Sequence, residues 1–84
     1  MKEITLDGKK LQRTEEGHNY LSEIFDFPEY YGKNLDALYD LLTGVSEPVK
    51  INIDYSEAMD EKMKLVFKDA VLDNDCLCIK GLGI

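Results

Sequence analysis

The 84-residue chain carries 17 acids against ten bases, for a formal net charge of −7, with 44% hydrophobic and 32% charged residues. That composition describes one globular domain over residues 1–84 and excludes a disordered chain; the length excludes an enzyme built from separate cofactor and substrate lobes. The acidity argues against direct binding to nucleic acid or anionic membranes and favours a basic protein partner, and no run approaches the roughly 18 apolar residues of a membrane span.

The first residues, Met1-Lys2-Glu3-Ile4-Thr5, contain no signal-peptide core, so the expected compartment is cytoplasmic. Glu3-Ile4-Thr5-Leu6 alternates polar and apolar and predicts a first strand, closed by a turn at Asp7-Gly8. Thr14 is placed to cap a first helix whose opening turn holds Glu15 and Glu16, the charge sign a helix N-terminus favours. Tyr20, Leu21, Ile24 and Phe25 then fall on one face at helical spacing, and His18 reads as a surface or boundary residue. Pro28 forces the residue before it out of helical geometry, which places the end of this helix near Asp26.

A second helix is expected from Leu35 to Thr43, capped by Asn34 and ended by Gly44, with Leu35, Leu38, Tyr39 and Leu42 as its buried stripe. After Pro48, Val49-Lys50-Ile51-Asn52-Ile53 alternates and predicts a second strand. Asp54 or Ser56 is expected to cap a long third helix that turns Met59, Met63, Val66, Phe67, Ala70 and Val71 inward. Asp73-Asn74-Asp75 reads as a turn. Cys76-Leu77-Cys78-Ile79 is continuously apolar, as in a strand covered on both faces. Both cysteines read as reduced core thiols, because same-face positions about 7 Å apart are too distant for an unstrained disulfide. The order β-α-α-β-α-β implies crossover connections and a small three-stranded parallel sheet packed with helices, the α/β class.

The residues that carry chemistry concentrate between Asp26 and Val45. Five acids fall between Asp26 and Glu47 against one base, Lys33, and three of the five tyrosines lie there too. Asp36 and Asp40, four apart, share a helix face with Thr43, and Tyr39 borders it. Like charges at this spacing destabilise a helix by a few tenths of a kcal/mol. The helix N-terminus offsets this at Asp36 but hardly at Asp40. Such a face is either simply solvated or built to meet a cationic site, and rigid rings beside carboxylates favour the second. A carboxylate pair for hydrolysis is the weaker reading, because the helix turns both outward with no sign of a pocket. Cys76 and Cys78 with one histidine, His18, fall short of the four ligands a soft metal usually takes. No phosphate loop, nucleophile elbow or zinc motif occurs in the sequence, so a binding module without metal or cofactor is expected rather than an enzyme.

Pro28-Glu29-Tyr30-Tyr31-Gly32-Lys33-Asn34-Leu35-Asp36-Ala37-Leu38-Tyr39-Asp40-Leu41-Leu42-Thr43-Gly44 resembles the signature of the barstar family, intracellular inhibitors of barnase-type ribonucleases. The first strand, the entry to the second at Pro48 and Phe67-Lys68-Asp69-Ala70 agree more loosely. The resemblance implies a domain, monomeric when free, whose second helix and preceding loop plug a ribonuclease active site with acids in place of substrate phosphates. It implies Asp40 in the phosphate pocket among arginines and a histidine, and Asp36 against a further basic residue. Asn34 and Gly32 would supply polar and backbone contacts, and Tyr30 would lie against the catalytic region. Tyr39, Thr43, Gly44 and Val45 would frame the helix, and Asp69, by a gapped match, would add an acid from the third helix. A barstar-like immunity or adaptor protein for a different basic toxin is the alternative within the same fold.

Overall fold

A computed structural model of the chain describes residues 2–28 and 31–82. Strand β1 (Lys2–Asp7) buries Ile4 and Leu6 and exposes Glu3 and Thr5, the two-residue period of a half-covered strand. Asp7 accepts a hydrogen bond from the Lys9 N–H at 3.0 Å and opens a 3-10 turn, Gly8–Leu11, that plugs Leu11 into the core. Helix α1 (Thr14–Phe25) and helix α2 (Leu35–Thr43) follow, then β2 (Val49–Asp54), a second 3-10 turn (Ser56–Ala58), helix α3 (Glu61–Asp73) and β3 (Leu77–Lys80). The expected β-α-α-β-α-β order and α/β class are therefore those of the structure.

The strands form one parallel sheet in the order β1-β2-β3. Lys2 stands opposite Val49 and Asp7 opposite Asp54, while Val49 to Asn52 pair with Leu77 to Lys80. Val49, Ile51 and Ile53 of β2 are buried with Ile4, Leu6 and Leu77 against Leu21, Leu38, Leu42, Met63 and Phe67 from the helices. The opposite sheet face is polar: Lys50 Nζ lies 3.6 Å from Glu3 Oε2, and Asn52 Nδ2 donates to the same carboxylate at 3.1 Å. These partners hold the Glu3 pKa below the ordinary carboxylate value, the Asn52 hydrogen bond first and the Lys50 charge second.

That open face corrects the reading of β3 as a strand covered on both sides. Leu77 is buried, Ile79 is half-buried, and Cys78 and Lys80 are exposed. Cys76 is half-buried in the preceding turn, so neither thiol is a core residue. A three-stranded sheet with helices on one side leaves the alternate positions of its edge strand to solvent, whatever their hydropathy.

Helix boundaries differ at two starts. Thr14 is the first helical residue rather than the cap: Arg13 holds the extended cap position, and its carbonyl accepts the first helical bond, from the Gly17 N–H at 2.8 Å. At α3 neither Asp54 nor Ser56 caps the helix. Tyr55 adopts a left-handed φ of 54°, the chain makes its short 3-10 turn, and Asp60 caps α3 by accepting from Lys62 N and Met63 N at 3.1 and 3.2 Å. Met59 is buried, as expected, but from the connection rather than from the helix. α1 ends where Pro28 predicts, with Asp26 as a left-handed C-cap at φ 55°. Among the described residues no helix is long and apolar enough to cross a membrane.

Candidate functional site

The sequence places α2 correctly at both ends, and the cap explains why. Asn34 accepts a bond from the Ala37 N–H at 2.8 Å, and its amide reaches the Gly32 carbonyl at 3.4 Å. A Cβ on Gly32 would come within 3.1 Å of that amide, so the bare backbone leaves the cap its room. Lys33 between them takes a left-handed φ of 52°, which turns the loop back into the helix. Gly32, Lys33 and Asn34 are all exposed.

The loop is pinned from below by rings. His18, expected at the surface or its boundary, is only 2% exposed: it shares the inward face of α1 with Gly17 and Leu21, and its Nδ1 lies 2.5 Å from the Tyr31 hydroxyl. One hydrogen bond thus joins the imidazole to the phenol. Burial lowers the His18 pKa and raises that of Tyr31 to about 12, so both groups are held uncharged. Tyr31 also packs on Phe27 at 4.8 Å, and Phe27 stacks on Phe25 at 5.3 Å. This column of rings fixes the residue from which the loop to α2 departs. The spacing His18-Leu21-Phe25, i, i+3, i+7, was its sequence signal.

On α2 itself Leu38 and Leu42 are buried, Leu35 and Tyr39 half-buried, and Asp36 and Asp40 exposed. Neither aspartate makes an ion pair among the described residues. Thr43 turns its hydroxyl back to donate to the Tyr39 carbonyl at 2.9 Å, Gly44 forms the C-cap, and Val45 is half-buried just beyond it. The Tyr39 hydroxyl donates to the Asp73 carboxylate across to α3.

Asn74, expected as a plain turn residue, is the second anchor. Its buried amide donates to the carbonyls of Leu42, Thr43 and Val45 at 3.0, 3.2 and 2.9 Å, and its oxygen accepts from Cys76 N–H at 3.0 Å. It thereby satisfies the carbonyls that the end of a helix leaves orphaned. A short helix of nine residues, marginal alone, is thus held at its start by Asn34 and at its end by Asn74.

α2 and α3 run in the same direction, since Asp36 and Lys62 near their starts border one cleft while Asn74 joins their ends. That cleft, about 590 Å³, is also lined by Thr14, Glu15, His18, Lys33, Asn34 and Leu35. Asp40 is not among its lining residues, so the structure brings Asp36 and Asp40 onto one exposed ridge but not into one pocket. Asp69 is exposed on α3, one turn before Asp73. Gly32, Asn34, Asp36, Tyr39, Asp40, Thr43, Gly44 and Val45 thus fall on one continuous loop-and-helix surface, with Asp69 on the neighbouring helix. Tyr30 lies outside the described residues.

A family model described as "Barstar (barnase inhibitor)" matches residues 1–72. The chain belongs to the barstar family. It is also 50% identical over 44 residues to a Bacillus subtilis (strain 168) protein named "Putative ribonuclease inhibitor YrdF". That match covers 52% of this chain and 48% of the relative, so the chain spans about half the length of the relative it matches.

Proposed function

We propose that this barstar-family chain inhibits a basic, barnase-type ribonuclease in the cytoplasm by seating α2 and the loop before it in the active site. The observation that carries the reading is the exposed Asp36–Asp40 ridge, without an ion pair among the described residues, on a helix anchored at both ends. A surface fixed before binding loses little entropy on association, and acids that make no ion pair among the described residues are available to a cation on a partner. Asp40 at the centre takes the place of a substrate phosphate, and Asp36 engages a neighbouring base. Asn34 and Gly32 offer polar and backbone contacts, Tyr30 meets the catalytic region of the enzyme, and Tyr39, Thr43, Gly44 and Val45 form the border. Asp69 supplies a further acid from α3. The domain acts as a monomer and is not itself a catalyst.

Titration of a barnase-type ribonuclease with the chain, following RNA cleavage at low and physiological salt, tests this. Stoichiometric inhibition is expected, with association that slows steeply as salt rises. Asp40→Ala should raise the dissociation constant at least tenfold, ~1.4 kcal/mol, without unfolding the domain. Equal affinity of Asp40→Ala and wild type for an inhibited ribonuclease refutes the assigned orientation. Lys33 and Lys62 beside Asp36 favour a second reading, a different basic toxin nuclease that carries an acid at that point of its surface.

A further inference from the structure

Two bases border the acidic ridge. Lys33, in the loop before α2, and Lys62, in the first turn of α3, line the cleft of about 590 Å³ that Asp36 also lines. Both lysines are exposed. Glu15 and Asp36 share the cleft, yet neither lysine makes an ion pair with them or with any other of the described residues. Lysines kept there to balance the chain's own acids would bond to them. Lys33 also holds its place at a backbone cost. Its φ of 52° lies in the left-handed region, which glycine or asparagine enters more readily than lysine. Of the other described non-glycine residues in that region, Asp26 is a helix C-cap and Tyr55 lays its ring under the Lys9 ammonium at 4.1 Å. Among the described residues the Lys33 ammonium has neither an ion pair nor a ring to meet.

We propose that Lys33 and Lys62 together receive a carboxylate of the ribonuclease, placed beside the base that meets Asp36. This rests on the inhibitor reading and deepens it: the acid becomes a requirement on the ribonuclease itself rather than the mark of a different toxin. The partner presents two neighbouring charges of opposite sign, and the cleft reads their order. Asp36 and Asp40 attract any basic surface, so by themselves they discriminate poorly among basic enzymes. An enzyme with a further base at this point meets two lysines, and that repulsion excludes it. An enzyme with an acid there gains an ion pair instead. Docking over the cleft withdraws these charges from water, where the pair is stronger than at an open rim. The left-handed backbone at Lys33 is then the cost of carrying a cation at the one loop position that borders both α2 and the cleft.

The test sets two charge effects against each other. Lys33→Gln/Lys62→Gln removes two positive charges from a chain of net charge −7, so steering alone would speed association with a basic enzyme and tighten the complex. The proposal requires the opposite. Inhibition titrations and stopped-flow binding of a barnase-type ribonuclease at two salts measure both rates, with Asp40→Ala as the control for the reading beneath. The dissociation constant of the glutamine pair should rise about threefold or more through faster dissociation, even as association at low salt quickens. Lys33→Asn, which suits left-handed backbone, should keep or raise the urea midpoint while it weakens the complex, so that loss of binding is not loss of fold. Replacing in turn the acids around the ribonuclease active site should uncover one whose removal weakens wild type and leaves the glutamine pair unchanged. If the rise stays below about threefold, or no acid of the enzyme couples to the lysines, while Asp40→Ala loses its tenfold, the cleft assignment is refuted and the inhibitor reading stands. If Asp40→Ala is also unchanged, or the wild type inhibits no ribonuclease, both fall.

Discussion

Replacing Asn74 by alanine should cost this domain more than any exposed change on the ridge it supports. The amide has two protons shared among the three carbonyls of Leu42, Thr43 and Val45, and its oxygen holds the Cys76 N–H. Truncation removes the equivalent of three hydrogen bonds, which at about 1 kcal/mol each gives roughly 3 kcal/mol. The cost is not lower, because the residue is 9% exposed and water does not simply replace the amide. It is not much higher, because the α2 end lies near the surface at exposed Gly44. A domain of this size has a total stability on the order of 5 kcal/mol. With a urea m-value of about 1 kcal/mol/M, the midpoint should fall by ~3 M. Asn74→Asp separates packing from donation: it keeps the acceptor for Cys76 but turns an oxygen toward three carbonyl oxygens. It should be destabilised at pH 7 by at least as much as alanine. Urea unfolding followed by far-UV circular dichroism measures both. A shift under about 0.5 M for either variant would show that α2 is not held from α3.

Further outcomes follow from single residues. Because the folded state holds His18 neutral, the unfolded chain binds the extra proton; stability from this group is complete above the unfolded pKa of about 6.5. It declines as the pH falls through the lowered folded value. His18→Gln should flatten that part of a urea-midpoint profile, and parallel profiles for the two proteins would contradict the assignment. Gly8→Ala should cost about 2–3 kcal/mol, since its Cβ would stand 2.2 Å from the Tyr55 carbonyl oxygen and 2.7 Å from that of Asp54, both backbone atoms. Thermal unfolding within about a degree of wild type would refute the overlap. Asp60→Ala should remove about 1 kcal/mol of cap energy that Asp60→Asn largely restores, again by urea midpoint.

The elements whose signals are local were legible in the sequence. α2 was bounded correctly because Asn34 and Gly44 act on their immediate neighbours, and β2 because its alternation matches a sheet covered on one face. What the sequence concealed depends on contacts between distant segments. His18 is a core residue because Tyr31 supplies a hydrogen-bond partner thirteen positions away. Asn74 is an anchor because α2 ends beside it, about thirty residues back in the chain. Cys78 is exposed because none of the described residues packs on the far side of the sheet, which no property of Cys76-Leu77-Cys78-Ile79 encodes. The third helix begins later than a cap at Asp54 or Ser56 implies because a left-handed Tyr55 and a 3-10 turn intervene. The ridge of Asp36 and Asp40 was visible as a pattern; the column of rings and the two asparagines that fix it in place were not.

The pairing of β1 with β2 has a consequence for when the ridge comes into being. Everything from Gly32 to Val45 lies in the excursion between two strands that pair residue for residue, Lys2 with Val49 through Asp7 with Asp54. β1, at the edge of the sheet, must wait for β2 before it has a strand partner, and closing so long a loop is slow compared with forming a helix. Even then Asn74 has still to emerge before the end of α2 is tied down. The acidic surface therefore does not come with α2 alone: its final form waits on the pairing of β1 with β2 and on the arrival of Asn74, so the folding of the sheet sets when the surface becomes competent.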